Sequence, residues 1–159
     1  MSQVNLDADL MHLLQRFHEE RVRYILIGGQ AVRLNGFLRN TEDIDILLPS
    51  SIQNGEQLIK ALNFLDSASE LKPSWFETDG EAPENIRMGD RILLDLLFAA
   101  NGETFETLQP YVKTLLIDGT PVHMLNIEGL LKTKTDYREK DLLDKQMLVK
   151  LQKDVLRGA

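Results

Sequence analysis

The tetrapeptide Asp43-Ile44-Asp45-Ile46 places two carboxylates two residues apart inside an apolar run. In a strand, side chains at that spacing leave on one face, so Asp43 and Asp45 point one way while Ile44 and Ile46 point into a core. Two adjacent anions repel, and each raises the cost of ionising the other. A hard divalent cation such as Mg²⁺, or Mn²⁺ in its place, reverses that cost by taking both as oxygen ligands. The plain alternative is the solvated face of an amphipathic strand, and the tetrapeptide alone does not choose between them.

Two further features bear on the choice. Gly28-Gly29 stands upstream, between the apolar run Tyr24-Ile25-Leu26-Ile27 and a helical stretch. Glycines at such a junction let a phosphate approach the backbone, and a helix start offers free N–H donors. An ordinary tight turn explains the same pair. Asp95 is a third carboxylate, set inside Ile92-Leu93-Leu94-Asp95-Leu96-Leu97-Phe98. A charge in so apolar a strand is costly unless it is paired or bound to a cation. Pairing with Arg87 or Arg91 on an exposed strand face is the competing explanation.

The elements that must hold these groups follow from periodicity. Leu10, Leu13, Leu14 and Phe17 mark an amphipathic helix over residues 8–22. Tyr24 to Ile27 reads as a buried strand, Gln30 to Leu34 as a short helix closed by Asn35-Gly36, and Asp43 to Leu48 as a second strand stopped by Pro49. Ser50 or Ser51 is positioned to cap the next helix, which carries Leu58, Ile59, Leu62 and Leu65. Residues 66–85 are polar and broken by Pro73, Gly80 and Pro83, and give no pattern. Ile86 to Met88 and Ile92 to Phe98 form a hairpin through Gly89-Asp90, and Leu115 to Ile117 and Val122 to Met124 form another through Asp118-Gly119. From Asn126 the pattern is helical, as two helices meeting near Tyr137 to Glu139.

The expected architecture is one α/β (α+β) domain over residues 1–159, with a mixed sheet of about four to six strands, helices packed on one side and a helical C-terminus. The core spans about residues 22–125 and the C-terminal helices about 126–157. The 159 residues carry no cysteine, which excludes a disulfide framework, a thiolate zinc site and a cysteine nucleophile. A net charge of -7 argues against a general nucleic-acid binder. No apolar run approaches the roughly 20 residues needed to cross a bilayer, so no membrane partner and a cytoplasmic location are expected.

Gly28-Gly29-Gln30-Ala31-Val32, Gly36, Arg39, Thr41 and Asp43-Ile44-Asp45 together resemble the nucleotidyltransferase superfamily, the DNA polymerase β-like fold. The form is similar to small proteins related to the AbiEii-type toxins of toxin–antitoxin systems, and to the lincosamide and aminoglycoside nucleotidyltransferases. The resemblance implies that Asp43, Asp45 and Asp95 are catalytic and hold Mg²⁺ or Mn²⁺, with Asp95 taking the proton from an attacking hydroxyl. It implies that Gly28 and Gly29 cradle the triphosphate of an NTP and that Arg39 steadies its charge. Arg39 equally suits an ion pair with Asp43 or Glu42, and Thr41 suits fixing the turn.

The run from Lys132 through Lys134, Asp136, Tyr137, Arg138, Lys140 and Asp141 to Asp144 is similar to a lysine-bearing helix followed by R-x-K-D-x-x-D in these relatives. There a lysine faces the triphosphate and later aspartates order the helix junction. Lys134 is preferred over Lys132 for that place. The alternative is a solvent-facing helix pair with i,i+4 contacts, Asp141 a cap and Asp144 a surface charge.

What the resemblance implies is transfer of a nucleoside monophosphate to a hydroxyl or phosphate acceptor: a protein, a tRNA end or a small molecule. A toxin–antitoxin or defence setting with an antitoxin partner, or a homodimer completing the cleft, belongs to the same expectation. A non-catalytic nucleotide- or protein-binding module on this fold is the alternative. His12, His18 and His123 have no metal-site spacing. Trp75 and Phe76 are expected in the core rather than in a base pocket.

Overall fold

A computed structural model describes residues 8–36, 43–77 and 83–158, without the side chains of 155, 157 and 158. Six strands form one mixed sheet: β1 (Ile25–Ile27), β2 (Asp43–Leu47), β3 (Ile86–Gly89), β4 (Leu93–Leu97), β5 (Val112–Ile117) and β6 (Thr120–Leu125), in the order β3-β4-β2-β1-β6-β5. β2 runs parallel to β4 and antiparallel to β1, while β1 runs parallel to β6. The two expected hairpins close the edges, β3 against β4 and β5 against β6. Asp118 and Gly119 both take positive φ, 48° and 81°, as a two-residue turn between strongly twisted strands requires.

Alternation along the strands separates two faces. Ile44, Ile46, Leu94 and Leu96 are buried, whereas Asp43, Asp45 and Asp95 are only partly covered. The buried face joins one apolar cluster with Leu10, Leu13, Leu14 and Phe17 of α1 (Ala8–Glu19) and Leu58 and Ala61 of α3 (Ile52–Ala61). Each leucine, isoleucine or phenylalanine among them contributes about 1.5–3 kcal/mol on leaving water. Of the two candidate serines, Ser51 caps α3, its side chain accepting from Asn54 N. Arg16 of α1 donates to the Lys60 and Ala61 carbonyls at the far end of α3, at 2.8 and 3.3 Å, and so locks the two helices together.

Residues 66–70 and 73–76 are short 3₁₀ turns. Phe76 is 1% exposed and packs against Gly55, where a methyl group would come within 2.5 Å of its ring. Trp75 corrects the expectation that both aromatics are core: it stays 42% exposed. Adjacent side chains in so tight a turn do not share one direction, and Phe76 takes the core position.

The remaining helices, with the segment ahead of the last one, bring Gly28, Gly29, Lys134 and Asp141 to the acidic residues Asp45 and Asp95. α2 (Gly28–Leu34) follows β1 without a break, and Asn35 fastens its end by donating from Nδ2 to the carbonyls of Ala31 and, on β6, Leu125. α4 (Ile127–Lys132), capped by Asn126, leads through residues 133–138 into α5 (Glu139–Gly158). Among the described residues no helix is long and apolar enough to cross a membrane.

Candidate functional site

Strand register brings the carboxylates together. Asp45 stands opposite Ile27 on β1 and opposite Asp95 on β4, so the two acids are cross-strand neighbours on one face. Asp43 lies two residues along β2 on the same face. Burial, then the charges of Asp95 and Asp43, push the Asp45 carboxyl up from 3.8 to about 6, and a side-chain hydrogen bond with Asp95 adds to the shift. Lys134 acts the other way, which places its ammonium close enough to be felt.

Gly28 is required by this arrangement. Its φ is +68°, a region L side chains rarely adopt, and a methyl group there would lie 2.1 Å from Asp45 Oδ2. The glycine corner and the acid are therefore in direct apposition. A cleft of about 390 Å³ opens in front of them, lined on one wall by Gly28, Gly29, Asp45 and Asp95 and on the other by Lys134, Tyr137, Arg138, Lys140 and Asp141.

The second wall is built with care. Lys134 and Asp144 are both buried, with Nζ 3.1 Å from Oδ2. Asp141 Oδ2 accepts from Thr135 N at 2.9 Å and from Thr135 Oγ1 at 2.8 Å. Burial works against its charge, but those hydrogen bonds and the nearby Lys134 and Arg138 outweigh it and hold the carboxyl below its usual range. Asn101 Nδ2 donates to the carbonyls of Lys132 and Lys134, at 3.1 and 2.9 Å, fixing the path of the chain into the cleft.

Asp43, Asp45, Asp95, Gly28, Gly29 and Lys134 are thus gathered around one face and its cleft, while Arg39 and Thr41 lie outside the described residues. Asp144 is not the surface charge of the alternative reading, because α5 folds it against Lys134, while Asp141 holds the backbone N–H and hydroxyl of Thr135 ahead of α5. Lys132 faces elsewhere, its Nζ 5.0 Å from the Tyr111 ring centroid. Sequence reasoning missed Asn101, although Asn101-Gly102 is a turn signal and both residues have positive φ. It also gave no role to Tyr137 or Lys140.

The carboxylate face suits a hard divalent cation by its donor chemistry: two neighbouring carboxylates, one of them resisting ionisation because it is covered from water and stands beside other anions. The third, Asp43, shares a cation with Asp95. Arg87 Nη2 lies 3.3 Å from Asp43 Oδ2 and Nε lies 3.5 Å from Asp95 Oδ1. As they stand, no three acidic or imidazole groups among the described residues are grouped to hold an ion.

No protein-family model matches the chain, and no curated protein matches it in sequence. Solved structures do match in fold. A lincosamide antibiotic adenylyltransferase, LnuA, with lincomycin bound, superposes with a TM-score of 0.59 at 19% identity, over 92% of this chain and 98% of that one. A nucleotidyltransferase-like antigenic protein from Paracoccidioides brasiliensis gives 0.54 at 18%, over 92% and 77%. A Thermotoga maritima protein assigned as a nucleotidyltransferase, TM1012, gives 0.53 at 15%, over 95% and 92%. With its six-stranded mixed sheet and this agreement along most of its length, the chain has the nucleotidyltransferase fold.

Proposed function

We propose that this chain is a divalent-metal-dependent nucleotidyltransferase, moving a nucleoside monophosphate from an NTP to a hydroxyl or phosphate acceptor. One observation carries the reading: the Asp45–Asp95 pair lies against the Gly28 corner and faces a cleft whose opposite wall presents Lys134. Acid on one side and fixed cation on the other is what a metal–triphosphate needs. Asp43, Asp45 and Asp95 would hold Mg²⁺ or Mn²⁺, which would supply the positive charge that neutralises phosphate in an in-line displacement.

The chain's own groups supply the rest. Lys134, its ammonium held by Asp144, would meet phosphate from a fixed position rather than search for it. The backbone at Gly28 and Gly29 admits the triphosphate closely because no side chain intervenes, and the sequence pattern adds Arg39 as a further cation for it. Asp95 is the residue proposed to accept the proton of the attacking hydroxyl. ATP is the first NTP to try, since LnuA is an adenylyltransferase. A small-molecule acceptor is favoured over RNA, because a net charge of -7 opposes a polyanion; a protein acceptor remains open to the same assay. Membership near the AbiEii-type toxins, an antitoxin partner and a cytoplasmic site of action rest on the sequence pattern.

Arg87 favours a second reading, a module that keeps the fold and binds nucleotide without transfer, because a guanidinium already answers two of the three carboxylates. Incubation with Mg²⁺ or Mn²⁺, each labelled NTP and candidate acceptors separates the two. Transfer by the unmutated chain and background levels for Asp45→Ala support the enzyme. Metal-dependent NTP binding with no transfer supports the module. Equal transfer by Asp45→Ala removes the mechanism.

A further inference from the structure

Arg87 sits on the edge strand β3, directly across from Asp95 on β4, and Asp95 is in turn across from Asp45 on β2. Its guanidinium nevertheless reaches beyond its neighbour. It contacts Asp95 at 3.5 Å and Asp43, one strand further on, at 3.3 Å. A single cation therefore spans two strands and draws on two of the three acids of the face. An arginine that merely protected a sheet edge would point to solvent or pair within its own hairpin.

The pairing is built to be loose. Arg87 is 68% and Asp43 43% exposed, against 9% and 7% for Lys134 and Asp144 on the other wall. Exposed pairs of this kind are weak and easily exchanged for water, whereas the buried pair is fixed. Through that contact Asp43 accepts a hydrogen bond from a residue of β3, outside the Asp45–Asp95 pair.

We propose that Arg87 is a resident counter-ion, holding the charge of Asp43 and Asp95 while no divalent ion is bound and competing with that ion for them. The inference rests on the reading of this face as a metal site. It adds that metal loading has an opponent in the chain itself, so that ion binding and release of the guanidinium are one event. Arg87 is a positioning residue in this scheme: it sets where the carboxylates point and how tightly the ion is held, and it takes no part in transfer.

Titration of the full-length chain with Mn²⁺ alone, followed by calorimetry and by the spin resonance of free Mn²⁺, tests it. Arg87→Gln is expected to bind Mn²⁺ about three- to tenfold more tightly than the unmutated chain at low ionic strength, the size of one or two exposed ion pairs. The advantage shrinks as salt screens the competitor. Arg87→Lys, which keeps the charge, stays near the unmutated affinity. In the unmutated chain, the Arg87 Nε–H resonance moves toward that of a solvated arginine when Mg²⁺ is added. Equal or weaker Mn²⁺ binding by Arg87→Gln, or an Arg87 signal indifferent to Mg²⁺, overturns the counter-ion while leaving the metal site standing. Absence of Mn²⁺ binding in every variant overturns both.

Discussion

Asp45 and Asp141 line the same cleft from opposite walls, and the fold satisfies one while leaving the other short. Asp141 receives two hydrogen bonds from Thr135, and its neighbour Asp144 is paired with a buried lysine; together they pin the start of α5 to the end of α4. Asp45 is half-buried beside two other acids and is pushed up to about 6. A protein keeps a deficit of that kind at a cost to its stability, and such deficits concentrate where a ligand supplies the missing charge. The satisfied wall is structure; the unsatisfied wall is proposed to be chemistry. Each assignment predicts how its own wall responds to mutation.

The largest effect is expected on the satisfied wall. Asp144→Ala leaves the Lys134 ammonium buried without its partner, and breaking a buried pair in this way costs about 3–5 kcal/mol. Urea unfolding measures it. Replacing both members, Lys134→Met with Asp144→Leu, recovers most of the loss, since two apolar groups of similar volume need no counter-charge. A double variant as unstable as the single one would mean that the junction depends on Asp144 for something other than Lys134.

The unsatisfied wall should respond in the opposite sense. The folded-state pKa of Asp45 lies above its ordinary 3.8, so the protonated form is the one the fold prefers. That stabilisation is complete below about pH 3.8 and is lost as pH rises through about 6. At pH 7, without metal, the ionised group therefore opposes folding by about 2–3 kcal/mol. Asp45→Asn removes the penalty and should raise stability by up to that amount at pH 7, with a gap that closes toward pH 4. Asp141 behaves the other way, because its carboxyl is held low: its contribution is present above the ordinary carboxylate range and is lost only as pH falls through its lowered value. With Mn²⁺ added, the unmutated chain should gain stability and Asp45→Asn should not. A destabilised Asp45→Asn at neutral pH would remove the contrast between the walls.

How much of this contrast the sequence carries depends on whether it is local. The faces of β2 and β4 were readable because alternation is a property of one strand, and Asp43, Asp45 and Asp95 fell on the open side as their spacing required. The turn at Asp118-Gly119 and the cap at Ser51 were readable for the same reason, both being matters of a few adjacent residues. The parallel pairing of β2 with β4 was not, since nothing near Asp45 says that Asp95 will be its neighbour. The burial of Asp144 was hidden as well. In α5 it sits among Lys140, Lys145 and Lys150, a pattern that reads as a solvated helix, and only the return of α5 against Lys134 encloses it. Residues 66–77 defeated periodicity because their order comes from tertiary contacts, Ser67 donating to Asp90 and Phe76 packing on Gly55.

The smallest effect separates two lysines that sequence alone could not. Lys132 and Lys134 are two residues apart at the end of α4, yet Lys132 is exposed and stacks over Tyr111 while Lys134 is buried in the cleft wall. A cation over an aromatic ring at an exposed site is worth about 0.5–1 kcal/mol. Lys132→Met should cost no more than that, because the carbonyl that Asn101 holds is backbone and survives the change. Metal-dependent NTP affinity, measured by calorimetry, should stay within about twofold of the unmutated chain, since Tyr111 is not among the residues lining the cleft. Lys134→Met is the matching control, with affinity falling well beyond the loss expected from stability. If Lys132→Met weakened NTP binding as much as Lys134→Met, phosphate recognition would belong to the outer face of α4, and the wall that Asp144 supports would be structural in full.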